Sequence, residues 1–488
     1  MTNIRYVCLS DMHFGAANSV LTELDNNQTT VDPNATSPML NALVSALTTL
    51  IGSNGEGARK PTLILNGDIL ELALATDNVA YMAFERFLDL IFPQGGDALF
   101  DNVVHYLPGN HDHHLWETTR ELQYSTLMNR REPTEPLPIP WHATRLYPDG
   151  DPRAVESEVL NRLAARRRSG HDVHFRVSYP NLGLRCKHND TTVVVHHGHF
   201  VESMYMLMST LRQMILPQPR SPVDVWDLEA ENFAWIDFFW STLGRSGEVG
   251  TDVALIYDML QSDDAIKKLA RNLATGVAAK TPRKGWTRSR WLTRVALKLL
   301  IQRVALKLAN SERSTPGETL SANAQRGLDT FLQGPVVRQL CSEAGPQTPA
   351  RPERVKFVFG HTHKPFSQSR TVVGLGNTVH VFNSGGWVVD TLAAEPRHGA
   401  SIVLIDDALE IASVCLYRQE TVTADYAVAL DASLPAEHGP FHERLETVID
   451  PKAQPWSTIS STAATVVRER QRLLKRIIDN AIAEPPAV

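Results

Sequence analysis

Five short groups of side chains able to bind metal or move protons punctuate the chain. They are Asp11-Met12-His13, Gly67-Asp68, Gly109-Asn110-His111-Asp112, His196-His197-Gly198-His199 and Gly360-His361-Thr362-His363. They offer carboxylate, imidazole and carboxamide groups without thiolate, a donor set that suits Mn, Fe or Zn. Seven such donors are enough for two ions about 3.5–4 Å apart, which together bind phosphoryl oxygens, activate water and stabilise charge on a leaving oxygen. A carboxylate is the natural bridge between them, because it offsets both charges. Cys8, Cys186, Cys341 and Cys415 are far apart and form no C-x-x-C pair. Neither a disulfide framework nor a thiolate site is expected.

Each group follows a short apolar, β-branched run, at residues 5–9, 62–65, 103–107, 192–195 and 355–359; a sixth run spans 379–382. Such runs, bounded by turn residues, predict strands buried in a sheet. Apolar residues at three- and four-residue steps predict helices over 40–51 and 79–91. Alternating strands and helices make a layered α/β sandwich, and open α/β sheets place ligands past the carboxyl ends of their strands. Residues 401–405 and 409–416 read as a β-hairpin about Asp406-Asp407, 18–37 as a mobile loop, and 469–479 as a charged helix. Asn383-Ser384-Gly385-Gly386-Trp387 reads as a tight turn holding a core tryptophan. Residues 201–353 differ in texture and read as a mostly helical insertion.

In this order D-x-H, G-D, G-N-H-D, H-G and G-H-x-H resemble the signature of the calcineurin-like metallophosphoesterases. The resemblance covers about 4–200 and 354–417 and leaves out the insertion. It implies an α/β fold, a four-layer metallophosphoesterase β-sandwich flanked by helices with a large helical cap insertion. Residues 1–200 and 354–450 would form the catalytic sandwich, 201–353 the cap and 451–488 a C-terminal helical tail. It further implies a phosphoester or pyrophosphate hydrolase that uses water and two metal ions. Asp11, His13 and His363 would hold one ion, Asp68 would bridge, and Asn110, His197 and His361 would complete the second site. His111 would act as general acid or transition-state stabiliser, with Asp112 orienting its ring.

This chain departs from the pattern at Glu71, where many relatives carry Asp three residues after the bridging aspartate, so no role is carried over to it. The fourth group offers three histidines. His197 directly precedes Gly198, as in the family pattern, and is the expected ligand; His196 reads as a strand residue. His199 reads equally as a contact to substrate or metal and as a surface residue. His113 and His114 read as the solvent-facing start of a helix.

The chain has 488 residues, enough for about two to three domains. Its 43% hydrophobic and 21% charged residues are ordinary for a globular protein. A net charge of −6 argues against non-specific coating of nucleic acid. That charge is unevenly spread: residues 265–311 carry twelve Lys and Arg and no Asp or Glu. Within this block Arg290, Arg294 and Lys298 form a stripe beside Leu292, Val295, Leu299 and Leu306, so it reads as a basic amphipathic helix. It suits a lid packed on the sandwich, an anionic membrane surface or, less well, a nucleic-acid groove. UDP-diacylglucosamine pyrophosphatases are similar in the motif set, which points to a lipid- or nucleotide-linked phosphate substrate. A phosphoprotein phosphatase or nuclease on the same core is the alternative. A non-catalytic binding module would typically have lost ligands, and all seven positions here carry metal-competent side chains. With no apolar run of about 18 residues and no secretory pattern, the expectation is a cytoplasmic enzyme, peripheral to a membrane if the basic block docks there.

Overall fold

The predicted apolar runs form strands β1 (Ile4–Leu9), β4 (Thr62–Asn66), β5 (Val103–Leu107), β9 (Thr191–His196), β10 (Arg354–Phe359) and β12 (Thr378–Asn383). The computed structural model describes residues 2–148, 154–215, 222–242, 318–343, 352–375, 378–420 and 428–483. The larger sheet runs in the order β15 (Ala429–Leu430), β14 (Ile411–Arg418), β13 (Gly399–Asp406), β1, β4, β5, β7 (His174–Val177), β6 (Val155–Glu156). The smaller runs β11 (Phe366–Thr371), β12, β10, β9, β8 (Asn181–Cys186). β1, β4 and β5 are parallel neighbours in the first sheet, as are β9 and β10 in the second. The expected hairpin is the antiparallel pair β13–β14.

Alternation along these strands builds the layers of this mixed α/β protein. Cys8, Ile64, Leu107 and Val403 of the larger sheet share one apolar cluster with Val193, Val195, Val358 and Phe382 of the smaller. Their neighbours Val7, Leu9, Leu63, Leu65, Ile402 and Leu404 face outward into a cluster shared with helices. Val194, Phe357 and Phe359 do likewise on the other side, beneath residues of the insertion. Both faces of the strands are therefore apolar, which is why they appear in sequence as unbroken runs rather than alternating ones.

Helix α1 (Pro38–Gly52) buries Leu40, Leu43, Leu47 and Leu50. Ser37 accepts a 3.0 Å hydrogen bond from the Leu40 amide as its N-cap, and Pro38 occupies the first turn, where no amide donor is needed. Helix α2 (Asp77–Ile91) covers the same sheet through Ala80, Phe84, Phe87 and Leu88.

The stretch 18–37, expected to be a mobile loop, is instead built. β2 (Thr22–Leu24) and β3 (Val31–Thr36) pair as a hairpin. The reason is apolar anchoring within a polar run: Val20, Leu21 and Leu24 are buried. The C-terminal helix Trp456–Ala483, far longer than the predicted 469–479, clamps it. Arg470 is 2% exposed and donates to the Ser19 carbonyl at 3.1 Å and the Thr22 carbonyl at 2.5 Å. Burial of Trp456, Ile459 and Val467 anchors that helix, at about 1.5–3 kcal/mol for each large apolar side chain.

Within 201–353 the described residues form helices α5 (Leu207–Ile215) and α6 (Val225–Ile236), a π-helical turn Asp237–Ser241, and helical segments over Ala322–Phe331 and Val337–Glu343. The basic block 265–311 lies outside the described residues. Among the described residues no helix is long and apolar enough to cross a membrane.

Candidate metal centre

Topology brings the five groups together. Asp11 and His13 follow β1, Asp68 follows β4, and Asn110 and His111 follow β5, so three adjacent parallel strands end at one edge. His197 and the pair His361, His363 follow β9 and β10, parallel neighbours in the facing sheet. Backbone bonds lock the exits: the Asp11 amide donates to the Gly67 carbonyl and the His13 amide to the Asp68 carbonyl, both at 2.9 Å. The Gly360 amide donates to the His197 carbonyl at 2.7 Å. Asp11, His13, Asp68, His361 and His363 all have positive φ, between 46° and 70°. Such backbone costs on the order of 1–3 kcal/mol per non-glycine residue and persists where surrounding structure enforces it. A Cβ at Gly360 would collide with the Asp11 carboxylate, so this turn requires glycine.

Asp11, His13, Asp68, Asn110, His111, His197, His361 and His363 are each no more than 2% exposed. Ligand atoms of Asp11, His13 and His363 lie within 4.8 Å of one another, as do those of Asp68, His197 and His361. Asp68 stands between the two sets. Its Oδ1 accepts from the His111 amide at 2.7 Å, while Oδ2 lies 3.8 Å from His13 Nε2 and 3.3 Å from His197 Nε2. Asn110 Oδ1 is 3.2 Å from His197 Nε2, which puts the carboxamide at the second set. Tyr205 and Trp240 roof the centre: Tyr205 lies 5.1 Å from the His361 ring and 5.3 Å from Trp240, which lies 6.3 Å from His111.

The residues fit metal ions on three observations. Nδ1 of His13 meets Glu71 at 2.9 Å, Nδ1 of His363 meets Asp390 at 2.9 Å, and Nδ1 of His197 meets the Asn66 carbonyl at 3.1 Å. Each is thereby fixed with Nε2 turned toward a carboxylate, the pattern that outer hydrogen bonds impose on metal-binding histidines. His13 Nε2, His363 Nε2 and Asp68 Oδ2 are sealed from solvent and have no hydrogen-bond partner among the described residues. Asp11 and Asp68, both fully buried, pair with histidines and not with Lys or Arg among the described residues. Burial acts to raise both carboxyls, but the histidines, His197 foremost, hold them below the ordinary carboxylate range. Burial likewise opposes charge on His197, yet Asp68 and Asp11 push it up to about 9.

Asp112, expected to orient His111, is engaged elsewhere. Its carboxylate accepts from the Tyr106 hydroxyl at 2.5 Å and from the amides of Gly109, Ile69, Leu70 and Asp68 at 2.6–3.3 Å. Burial and the charge of Asp68 push its pKa up to about 6. It organises the two loops that carry Asp68 and Asn110. Glu71 holds His111 instead, through Nδ1 at 2.8 Å, and holds His13 as well. Burial works to raise Glu71, but His111 and His13 keep it well below the carboxylate range.

His113, expected to face solvent, is fully buried; His114, the first residue of helix α3 (His114–Met128), is half-buried. His113 Nε2 meets Glu229 of α6 at 2.9 Å. Burial opposes its charge, but Glu229 and Asp237 outweigh it and raise the pKa to about 10. His199 is buried too, 3.1 Å from the Tyr179 hydroxyl, which donates to the same Glu229 at 2.9 Å. This network pins the insertion to the third and fourth groups. Asp390 and Glu229 carry no sequence signal at all. Glu71 carries one, its place three residues after Asp68. Trp387 is fully buried as the turn reading requires, and its amide donates to the Asp11 carbonyl at 2.9 Å.

His196 points away from the centre, its ring 4.5 Å from Phe331 and 6.3 Å from Phe357. Burial, followed by His197 and His361, holds it neutral. His196→Ala is therefore expected to cost about 3 kcal/mol of stability by cavity formation while metal content stays unchanged. His197→Ala is expected to lose an ion. Chemical denaturation and elemental analysis of both variants check this, and the reverse pattern would make His196 the ligand.

Neither comparison with family models nor comparison with curated proteins finds a match to this chain.

Proposed function

We propose that this protein is a binuclear metal-dependent hydrolase of phosphate esters or pyrophosphates, built on the four-layer sandwich of the calcineurin-like metallophosphoesterases with 201–353 as its cap. The observation that carries this reading is Asp68 Oδ2 between His13 Nε2 and His197 Nε2, shared by two buried sets of donors. Asp11, His13 and His363 would hold one ion, Asn110, His197 and His361 the other, with Asp68 between them. Two bound ions would supply Lewis-acid polarisation of the phosphoryl group and an activated water at neutral pH. Glu71 fixes the His111 ring by Nδ1, so Nε2 is the nitrogen that serves the leaving oxygen, as a proton donor or by stabilising its charge. The buried roof of Tyr205 and Trp240 excludes water and strengthens every charge interaction beneath it. The basic block 265–311 favours an anionic, amphiphilic substrate such as a lipid- or nucleotide-linked pyrophosphate, on sequence grounds alone.

A substrate panel with Mn-loaded protein tests the reading. An aryl phosphodiester, an aryl monoester, an acylated and a plain nucleotide-sugar pyrophosphate, a phosphoprotein and single-stranded DNA cover the alternatives. Hydrolysis of at least one phosphate bond is expected, lost on exhaustive chelation and restored by Mn. Full activity after chelation, or a metal-binding protein inert on the whole panel, would overturn it.

A further inference from the structure

Four histidines of the centre have a hydrogen-bonded polar group behind them, and that group comes from the loops and strand ends of the two sheets. Glu71 backs His13 and His111, Asp390 backs His363, and the Asn66 carbonyl backs His197. His361 differs. Its Nε2 lies 3.0 Å from Oε1 of Glu202, whose side chain is 10% exposed. Glu202 ends the single 3₁₀ turn His199–Val201 that opens the helical insertion.

The same turn grips His361 twice. The Tyr205 amide donates to the Glu202 carbonyl at 3.2 Å, and this bend sets the Tyr205 ring edge-on to His361, at 77° between the ring planes. The turn is itself braced by the far half of the insertion. Gly327, in the helix Ala322–Phe331, packs so close to the Val201 carbonyl that any Cβ there would strike it. Two stretches of the insertion more than a hundred residues apart in sequence thus converge on the residue next to Glu202.

We infer that Glu202 is the positioning residue for His361, and that it makes affinity for the second metal ion depend on the helical insertion being docked. The contact is electrostatic, at ion-pair distance and without hydrogen-bond geometry; a carboxylate beside Nε2 favours hydrogen there and leaves Nδ1 as the donor to an ion. It also raises the basicity of that donor. Loss of such an outer partner typically weakens metal binding 10–100-fold. The inference rests on the binuclear reading and adds to it: loading of one site is tied to the sheet edges, loading of the other to the insertion.

The experiment titrates Mn²⁺ into ion-free full-length protein by calorimetry, with elemental analysis, for wild type, Glu202→Ala and Glu202→Gln. The Co²⁺-loaded absorption spectrum serves as a second readout of the site. Glu202→Ala is expected to weaken the second ion by about 10–100-fold and to alter the Co²⁺ bands, with the first ion and the melting temperature of ion-free protein unchanged. Glu202→Gln, which keeps the shape of the side chain and loses its charge, should weaken the second ion much as Glu202→Ala does. Wild-type affinity for both ions in Glu202→Ala would overturn the inference alone. So would equal weakening of both ions together with a lowered ion-free melting temperature, which marks a general packing defect. Wild type that takes up fewer than two ions would overturn the binuclear reading, and this inference with it.

Discussion

Asp68→Asn is expected to strip at least one metal ion from each chain and to lower turnover by about a thousandfold. Asparagine keeps the shape of the side chain and the oxygen that accepts from the His111 amide at 2.7 Å, so the backbone of the third group need not move. What changes is the other end. Oδ2, between His13 Nε2 and His197 Nε2, becomes a neutral NH₂, and the charge that the two proposed ions would share disappears. Metal affinity at such a site is coupled to the deprotonated carboxylate. Transition-state charge stabilisation by the ions is worth several kcal/mol, which at about 1.4 kcal/mol per factor of ten corresponds to the stated loss. Elemental analysis of purified Asp68→Asn is the check. Two tightly bound ions in that variant, or unimpaired turnover, would remove the bridging assignment.

The second large effect is expected at His111, without loss of metal. His111→Asn should retain two ions and lose about a hundredfold or more in turnover, the contribution of a positioned proton-transfer group. The geometry makes this a sharp test. His111 shares a cluster with His13 and Asp68, whose ligand atoms approach one another within 4.8 Å, so its ring is close enough to be a ligand itself. Its Nδ1 is held by Glu71 at 2.8 Å, and its ring lies 6.3 Å from that of Trp240 in the roof. Metal content and turnover measured on one preparation separate the roles. An ion lost along with activity would make His111 a ligand, and activity kept would leave it a packing residue under the roof.

Much of the frame was legible in the chain because its signals are local. Apolar runs such as 62–65 and 355–359 carry their strand character within themselves, and Gly-Asp or Gly-His directly after them marks a turn at a strand end. With alternating helices, that determines an α/β architecture and a set of donors at strand termini. The partners of those donors were decided by tertiary structure alone. Asp112 is adjacent to His111 in sequence, yet its carboxylate is consumed by four amides and the Tyr106 hydroxyl, while Glu71, forty residues earlier, takes the imidazole. His113 reads as a solvent-facing helix start until Glu229, 116 residues later, seals it in as a buried ion pair. Asp390 behaves alike: it is an ordinary acid in sequence and a clamp on His363 in space. Strand identity depends on the side chains of the strand itself, whereas the fate of a polar side chain depends on whether a distant group arrives to compensate its burial. Only the packing of the two sheets and the insertion brings that group within 3 Å.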